Sequence, residues 1–354
     1  MALTQVSPGM LASDSQYTGF KNRIINGAMT INQRGSSITS NGYSLDRYLI
    51  TAVSGSKMTV QQSSDAPTGF SNSLLITSSA ATTIGSTDYY DIGQRIEGFN
   101  TYDLMFGTAN AKTITISFWV KSSLTGTFGA SLQNSAQNRS YPFTFTISTA
   151  STWTQISTTI AGDTSGTWVG ATAGTGMQLL FNLGTGSSTL GTAGAWTAGY
   201  IFPTGEVNIL ATNGATLQIT GLQLEKGSTA TSFDYRPYGT ELQLCQRYYF
   251  RAVTGDSQAI SMGGYFTSSD MRTVTYFPVP MRIAPSVVSA TGTDYFRIQR
   301  NGGDDTFTTF LDGGPKTPTT IMIFNNLDMS GTAGQSGFVY SNNSSASLAF
   351  SAEL

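Results

Sequence analysis

The chain is dominated by short segments in which apolar and polar residues alternate, and this period of two constrains its fold more than any other feature. In the clearest segment, Ile114, Ile116, Phe118 and Val120 share one face of a strand. Gly- and Ser-rich turns separate successive segments, and the sequence shows no convincing long helix and no repeat of fixed period. This spacing predicts an all-β protein: a jelly-roll β-sandwich, then a short helix and a smaller C-terminal β domain.

One strand carries an irregularity in its alternation. Leu217 and Ile219 occupy one phase, whereas Leu222 and Leu224 occupy the opposite phase. The slip falls at Thr220-Gly221, where a β-bulge would return the second pair to the inward face. We therefore predict a bulged strand at this position.

In residues 233–249 (FDYRPYGTELQLCQRYY) strand alternation gives way to helical spacing. Leu242, Cys245 and Tyr249 fall on one apolar stripe, and Thr240 is a usable N-cap. A short helix with this much apolar surface needs a partner, which is either its own two domains or the same helix in other subunits. We predict that these three side chains pack inward as contacts of the domain joint or of an oligomer.

Three arginines surround this helix in the sequence. Arg236 and two others could pair with Asp234 and Glu241, or these arginines could bridge subunits with bidentate hydrogen bonds. The structural pairing is the favoured interpretation. The other two arginines are Arg247 and Arg251.

The pattern divides the chain into four regions. Residues 1–20 form an arm that is either a frayed terminus or an attachment peptide, and 21–235 form the jelly roll. Residues 236–250 form the connecting helix, and 251–354 form the C-terminal β domain.

Some elements are predicted in more detail. Residues 43–50 (YSLDRYLI) are interpreted as one strand with Asp46 and Arg47 at its centre, and Asn26-Gly27 predicts a tight turn.

In the C-terminal region three segments have distinct predictions. The proline-rich segment 277–287 (FPVPMRIAPSV) is an edge or crossover that cannot be a central strand. Residues 301–305 predict a Gly-rich turn, and 307–311 predict a strand.

Charge is scarce in this chain, at 11% of residues against roughly 25% in a typical soluble domain. The formal net charge is −2 and no basic run is present, which argues against a nucleic-acid partner. No apolar run approaches the roughly 20 residues of a membrane span, so we expect no membrane insertion.

The sequence contains no histidine, which removes the commonest general base and the commonest zinc ligand. Its single cysteine, Cys245, lies on the helical stripe and is interpreted as a small buried hydrophobe. A glycosidase needs two carboxylates across a cleft, and no local motif marks such a pair. We therefore predict no catalytic residue, no cofactor and a protein that is not an enzyme.

Two acidic pairs could bind calcium through oxygen ligands. Asp88 and Asp91 flank two tyrosines, and Asp304-Asp305 lies in the predicted Gly-rich turn. Neither has the spacing of an EF-hand loop, and solvated turn residues are the favoured interpretation.

Several aromatic residues lie near predicted turns or strand ends, where β modules hold sugars against a ring. Core packing is the better interpretation for each alone, but as a group they leave a glycan-binding surface open. These glycan-binding candidates are Tyr89, Tyr90, Trp196, Tyr200 and Tyr295, with Phe296 beside the last.

Three stretches resemble modules of phage virion proteins. Residues 22–35 (NRIINGAMTINQRG) and 43–50 look like the first strands of the jelly roll of phage tail-fibre and receptor-binding proteins, a module similar to carbohydrate-binding modules. Residues 113–132 look like its central strand pair. Residues 221–249, with the block LEKG…FDYRPYGTELQLCQRYY, look like its end, joined to a tail-fibre C-terminal region, and are the most specific part.

This resemblance implies an elongated homotrimeric virion appendage without a cofactor, and it supplies no catalytic residues. The first expectation is a tail fibre or receptor-binding protein that joins other virion proteins through its N-terminal arm and binds host surface glycans multivalently. The alternative is a capsid decoration or head-fibre protein. A polysaccharide depolymerase ranks last.

Overall fold

A computed structural model of the protein describes residues 20–35 and 37–354. The predicted attachment arm lies outside them, except for Phe20. The described chain divides into two compact units, the first reaching Glu241 and including Leu354, the second comprising Leu242–Glu353.

The first unit is a jelly-roll β-sandwich of antiparallel sheets. Its strands are β1 (Gly42–Tyr43), β2 (Leu49–Ala52), β3 (Met58–Ser63), β4 (Ser73–Ser78), β5 (Tyr89–Glu97), β6 (Ile114–Ser122), β7 (Gly126–Asn134), β8 (Arg139–Ile147), β9 (Thr154–Ile160), β10 (Thr175–Thr185), β11 (Leu190–Gly191), β12 (Thr197–Ala198), β13 (Phe202–Pro203) and β14 (Thr216–Lys226). Short 3-10 helices lie at Gly98–Asn100, Tyr102–Leu104, Ser187–Thr189 and Ile209–Ala211.

Two large sheets of this unit enclose one core. The first has the order β1-β2-β5-β10-β7-β8-β12 and the second β3-β4-β14-β6-β9, and a small parallel pair joins β11 to β13. The alternation predicted for β6 is confirmed, because Ile114, Ile116, Phe118 and Val120 are all buried in this core. Thr115, Ser117 and Trp119 occupy the alternate positions of this period-two strand.

The predicted bulge in β14 is confirmed. Thr220 pairs with Trp119 and Gln223 with Ser117, so β14 advances three residues while β6 advances two. Gly221 adopts φ +60°, a left-handed conformation that glycine reaches without a Cβ penalty. The extra residue restores the phase, and Leu222 and Leu224 are both fully buried.

The predicted single strand over 43–50 is wrong, because the charged pair at its centre forms a turn between β1 and β2. The Ser44 amide donates to the Tyr48 carbonyl (3.0 Å), and Arg47 adopts φ +76°. Asp46 accepts from the Gln33 backbone and side chain, each at 2.6 Å. Hydrogen bonds to the buried charged side chains of Asp46 and Arg47 stabilise the chain here more than continued strand pairing would. Asn26, in the predicted Asn-Gly turn, does adopt a turn conformation at φ +60°.

The predicted short helix is present as α1 (Tyr238–Gln246), nine residues long. It begins immediately after Pro237, so Thr240 is its third residue and not its N-cap. The helix also ends before Tyr249, which is the first residue of the next strand. The predicted apolar stripe therefore spans a helix and the start of a strand.

The second unit is a smaller all-β domain with its own core. Its strands are β15 (Tyr249–Thr254), β16 (Ala259–Thr267), β17 (Asp270–Tyr276), β18 (Ser286–Ser289), β19 (Phe296–Arg300), β20 (Gly303–Phe307), β21 (Thr320–Asn325), β22 (Ser336–Ser341) and β23 (Ser347–Ser351). They form a three-stranded sheet, β15-β23-β18, and a six-stranded sheet, β20-β19-β22-β16-β17-β21. Side chains of both sheets share the core.

The proline-rich segment is confirmed as a connection, since no strand covers 277–285 and β18 begins at its end as an edge strand. The predicted turn at 301–305 is shorter than expected, because Asp304 and Asp305 already pair with β19 within β20. The predicted strand over 307–311 is displaced accordingly, and β20 ends at Phe307. Within the described residues, no helix is long and apolar enough to cross a membrane.

Candidate functional site

A cleft of about 440 Å³ opens in the jelly-roll unit between three segments that are distant in sequence. Residues 22–30 supply one wall, the loop 69–71 another, and residues 233–241 the third. Its size falls within the range of small-molecule and sugar sites, and it combines aromatic with polar lining. We call it the aromatic cleft.

Three rings form a cluster in the wall of the aromatic cleft. Phe70, Phe233 and Tyr235 have ring centroids 4.8–5.4 Å apart. Tyr235 is 57% exposed and Tyr238, at the start of α1, is 64% exposed. The Tyr235 hydroxyl donates to the Gly69 carbonyl, so its ring is held against the 69–71 loop. Two large tyrosine faces are thus available to a ligand.

Two glycines bring the walls of the cleft together. A Cβ on Gly221, in the β14 bulge, would lie 2.7 Å from Phe70 Cζ, so only glycine admits the Phe70 ring there. Gly27 packs against the Leu222 carbonyl with no room for a Cβ, and its own carbonyl accepts from the Leu222 amide (2.9 Å). The bulge and the Asn-Gly turn, which the sequence shows as separate signals, therefore form one structural unit.

Arg236 binds the N-terminal wall to the start of α1. Its side chain is only 3% exposed. Nη1 donates to the Ile24 carbonyl (3.1 Å) and to both oxygens of Glu241 (3.2 Å each), and Nη2 donates to the Asn22 carbonyl. Glu241 in turn accepts from the Asn26 amide. The sequence offered three arginines as partners for Asp234 and Glu241, and the structure pairs Arg236 with Glu241.

Asp234 is a partly exposed carboxylate that lines the cleft. Its Oδ2 accepts from the backbone amides of Lys21 (3.0 Å) and Asn22 (3.1 Å). Its Oδ1 accepts no hydrogen bond from the described residues, and the side chain is 16% exposed. The free oxygen is therefore available to a hydroxyl donor.

The aromatic residues singled out in the sequence lie elsewhere. Tyr90 is 2% exposed in the core, and its hydroxyl lies 2.7 Å from Ser54 Oγ, so its ring presents no face to a sugar. Tyr89 and Tyr200 meet edge to face with centroids 6.0 Å apart. Trp196 packs against Phe106, Tyr141 and Trp168. Tyr295 packs half-buried against the core of the second unit, where Phe296 is fully buried.

Residues 186–207, which include the edge strand β12, also fold over the outer face of the seven-stranded sheet, and we call them the covering segment. The Ser131 hydroxyl donates to the Ile201 carbonyl (2.7 Å), and Tyr200 donates to Asp91. Glu206 accepts from Asn182 and occupies the space above Gly129 where a Cβ would lie.

Two carboxyl groups here have a buried oxygen without a partner in the described part of the chain: Asp91 is buried beneath this segment, and the half-buried Glu206 belongs to it. Asp91 Oδ1 and Glu206 Oε2 accept no hydrogen bond from the described residues. Loss of hydration raises the pKa of Asp91 to about 7, although the Tyr200 hydroxyl and the charge of Arg95 oppose the shift. Burial likewise raises the pKa of Glu206 to about 8.

The acidic pairs considered for calcium have partners within the protein. Asp88 accepts from the Gly85 amide (2.8 Å), and Asp305 from the Tyr265 hydroxyl (2.5 Å) and the Ser330 amide (2.8 Å). Asp304 pairs with Arg297 at 3.1 Å. In the described part of the chain no three acidic or cysteine side chains cluster as metal ligands.

The predicted joint residues differ in burial. Cys245 is fully buried and Tyr249 is 3% exposed, whereas Leu242 is half-buried. The sequence drew attention to 233–249 as a joint, but it did not reveal that its first half builds the aromatic cleft. The available signal was the density of aromatic and charged residues in FDYRPYGTE.

No family model matches the chain, and no curated protein is significantly similar to it. Among solved structures, the enzymatically active domain of bacteriophage CBA120 tailspike protein 4 is 13% identical, with a TM-score of 0.33. That match covers 58% of this chain and 21% of the tailspike, so the chain spans about a fifth of that protein's length.

Several similar structures are sugar-binding proteins by description. A putative sugar binding protein from Bacteroides thetaiotaomicron is 13% identical over 58% of this chain and 100% of its own, with a TM-score of 0.36. TmCBM61, solved with β-1,4-galactotriose, is 10% identical over 59% of this chain and 100% of its own, with a TM-score of 0.30. TM-scores this low identify neither a ligand nor an activity for this chain.

Proposed function

We propose that this protein is a non-enzymatic phage virion fibre, a tail fibre or receptor-binding protein, that binds host surface glycans in the aromatic cleft. The observation that carries the proposal is the presence of two exposed tyrosine faces, Tyr235 and Tyr238, beside the free Asp234 oxygen in one cleft. The apolar face of a pyranose packs on an aromatic ring, while its hydroxyls donate to a carboxylate. The resemblance of residues 221–249 to tail-fibre sequences supports the virion role.

Replacing both Tyr235 and Tyr238 with alanine should weaken glycan binding at least about tenfold, a loss of about 1.4 kcal/mol. The reason is that the ligand loses its stacking surface, while the half-buried Phe70–Phe233 contact remains. The measurement is binding of the intact protein to a glycan array, followed by calorimetric titration of the strongest ligand.

The matched control is Tyr102→Ala, which removes a tyrosine that is 56% exposed in the same unit but outside the cleft. Binding should be unchanged in this variant. Equal losses in the control and in the cleft variant would contradict the assignment of the cleft.

The second unit offers a surface for the multivalency that the proposal requires. Five exposed apolar side chains lie on the outer face of its six-stranded sheet, and charges on the same face are paired, as in Arg272–Asp270 at 2.7 Å. A large apolar patch of this kind is typical of an interaction site. These side chains are Met262, Phe266, Val274, Tyr276 and Phe338.

We infer that this face joins three copies into a homotrimer, which makes several weak sugar sites act together. Sedimentation equilibrium should give three times the 37.5 kDa chain mass, and Val274→Lys should lower it. Antibody against the same protein should label the tail of the virion. A monomeric protein, or label confined to the capsid, would contradict this arrangement and favour a capsid decoration protein.

A further inference from the structure

The charges that line the aromatic cleft are unequal in sign. Among the described residues lining it, the charged side chains are Asp234, Arg236 and Glu241, so two carboxylates face one guanidinium. Any ligand that enters the cleft therefore meets a surface with an excess of negative charge.

Arg236, the cation among the described lining residues, is committed to the protein. Both terminal nitrogens of Arg236 donate to backbone carbonyls, at Ile24 and Asn22, and Nη1 also bonds to Glu241. Its Nε is buried without a hydrogen-bond partner, 4.0 Å from Asp234 Oδ2. The guanidinium therefore offers a ligand no accessible pair of donors of the kind that binds a carboxylate or sulfate group.

A polar atom of the lining that accepts no hydrogen bond from the described residues is instead an acceptor, Asp234 Oδ1. A sugar hydroxyl can donate to it, because a hydroxyl carries a proton. A uronate, sialate or sulfate group carries only acceptors at neutral pH, so it would place like charges side by side in a partly desolvated cleft.

We propose that the aromatic cleft selects uncharged glycans, such as neutral hexoses and N-acetylated sugars, and rejects acidic ones, with Asp234 as the specificity-determining residue. This inference rests on the proposed glycan-binding function and names its ligand class.

The test is binding of the full chain to an array of neutral oligosaccharides and their uronic, sialylated and sulfated counterparts, at low and at high NaCl. Acidic members should bind at least about tenfold more weakly than their neutral partners at low salt. Added salt should strengthen acidic binding and leave neutral binding unchanged, because it screens repulsion.

Asp234→Asn provides a second readout. The amide oxygen can still accept from the Lys21 and Asn22 amides, so the N-terminal wall keeps its contacts, and a thermal melt verifies the fold. In this variant the ratio of the affinities for neutral and for acidic members should fall at least about threefold. The matched control is Asp103→Asn. Asp103 does not line the cleft, so this variant should leave the affinity ratio unchanged.

The outcomes separate the two proposals. If acidic members bind as strongly as neutral ones, and added salt weakens that binding, the proposed selectivity is wrong. The proposed glycan-binding function would still stand. If neither class binds, and Tyr235 and Tyr238 have no effect, the proposed function fails and the selectivity fails with it.

Discussion

Replacing Arg236 with methionine should lower the free energy of unfolding of the jelly-roll unit by about 3–5 kcal/mol. Methionine preserves much of the apolar stem but leaves the Glu241 carboxylate, which is 11% exposed, without its ion-pair partner. The Ile24 and Asn22 carbonyls also lose their donors. Breaking a buried pair costs more than the pair contributes, because the remaining charge stays desolvated.

The measurement is urea unfolding followed by tryptophan fluorescence. All four tryptophans, Trp119, Trp153, Trp168 and Trp196, lie in the jelly-roll unit, so the signal reports on that unit.

Companion variants separate charge from geometry. Arg236→Lys should recover little stability, because an ammonium cannot reproduce the forked contacts of the guanidinium. Adding Glu241→Gln to Arg236→Met should restore part of the loss, since no charge is then left unpaired.

Arg23→Met, which removes a more exposed ion pair with Asp103, should cost less than about 1 kcal/mol. Equal costs at Arg23 and Arg236 would contradict the special role of the buried pair.

We expect the free energy of unfolding of the jelly-roll unit to fall as pH rises from 5 to 8. The unfolded chain releases the protons of Asp91 and Glu206 near their ordinary pKa values of about 4. The folded chain keeps them until the raised pKa values of about 7 and about 8 are reached. Between these limits the folded state holds more protons, so rising pH favours unfolding, by up to about 1.4 kcal/mol per pH unit and carboxyl group.

Isosteric amides test this origin directly. Asp91→Asn and Glu206→Gln remove the titration but keep the size of each side chain, and the amide oxygen introduced at position 91 could still accept from Tyr200. Each variant should flatten the decline of the unfolding midpoint between pH 5 and 8, and the double variant should flatten it most. Asp88→Asn, in a solvated turn, is the control and should leave the slope unchanged. A slope that survives the double variant would contradict the assignment.

Local patterns in the sequence were sufficient to predict the β architecture. The alternation of Ile114 to Val120 determines which face of β6 is buried, because successive side chains of a strand point to opposite sides. The phase slip around Gly221 determines the bulge for the same reason. The change of period near Leu242 indicates the helix, although not its ends, because helix boundaries depend on caps and on tertiary contacts.

Patterns confined to neighbouring residues did not reveal the candidate site. Several hydrogen bonds that build the aromatic cleft join residues more than 200 positions apart, as between Asn22 and Asp234. The same limit explains why Tyr90, a glycan-binding candidate in the sequence, is buried in the core, while Tyr235, which was not a candidate, is exposed.

The sequence by itself therefore determined the strand periodicity, the bulge and the presence of a helix, all of which follow from the conformational preferences of adjacent residues. Only the tertiary structure decided which charges are buried and which rings remain exposed. Burial depends on segments that meet across the fold: the covering segment over Asp91, and residues 22–30 against Arg236. That long-range packing places a free carboxylate oxygen and two tyrosine faces in one cleft.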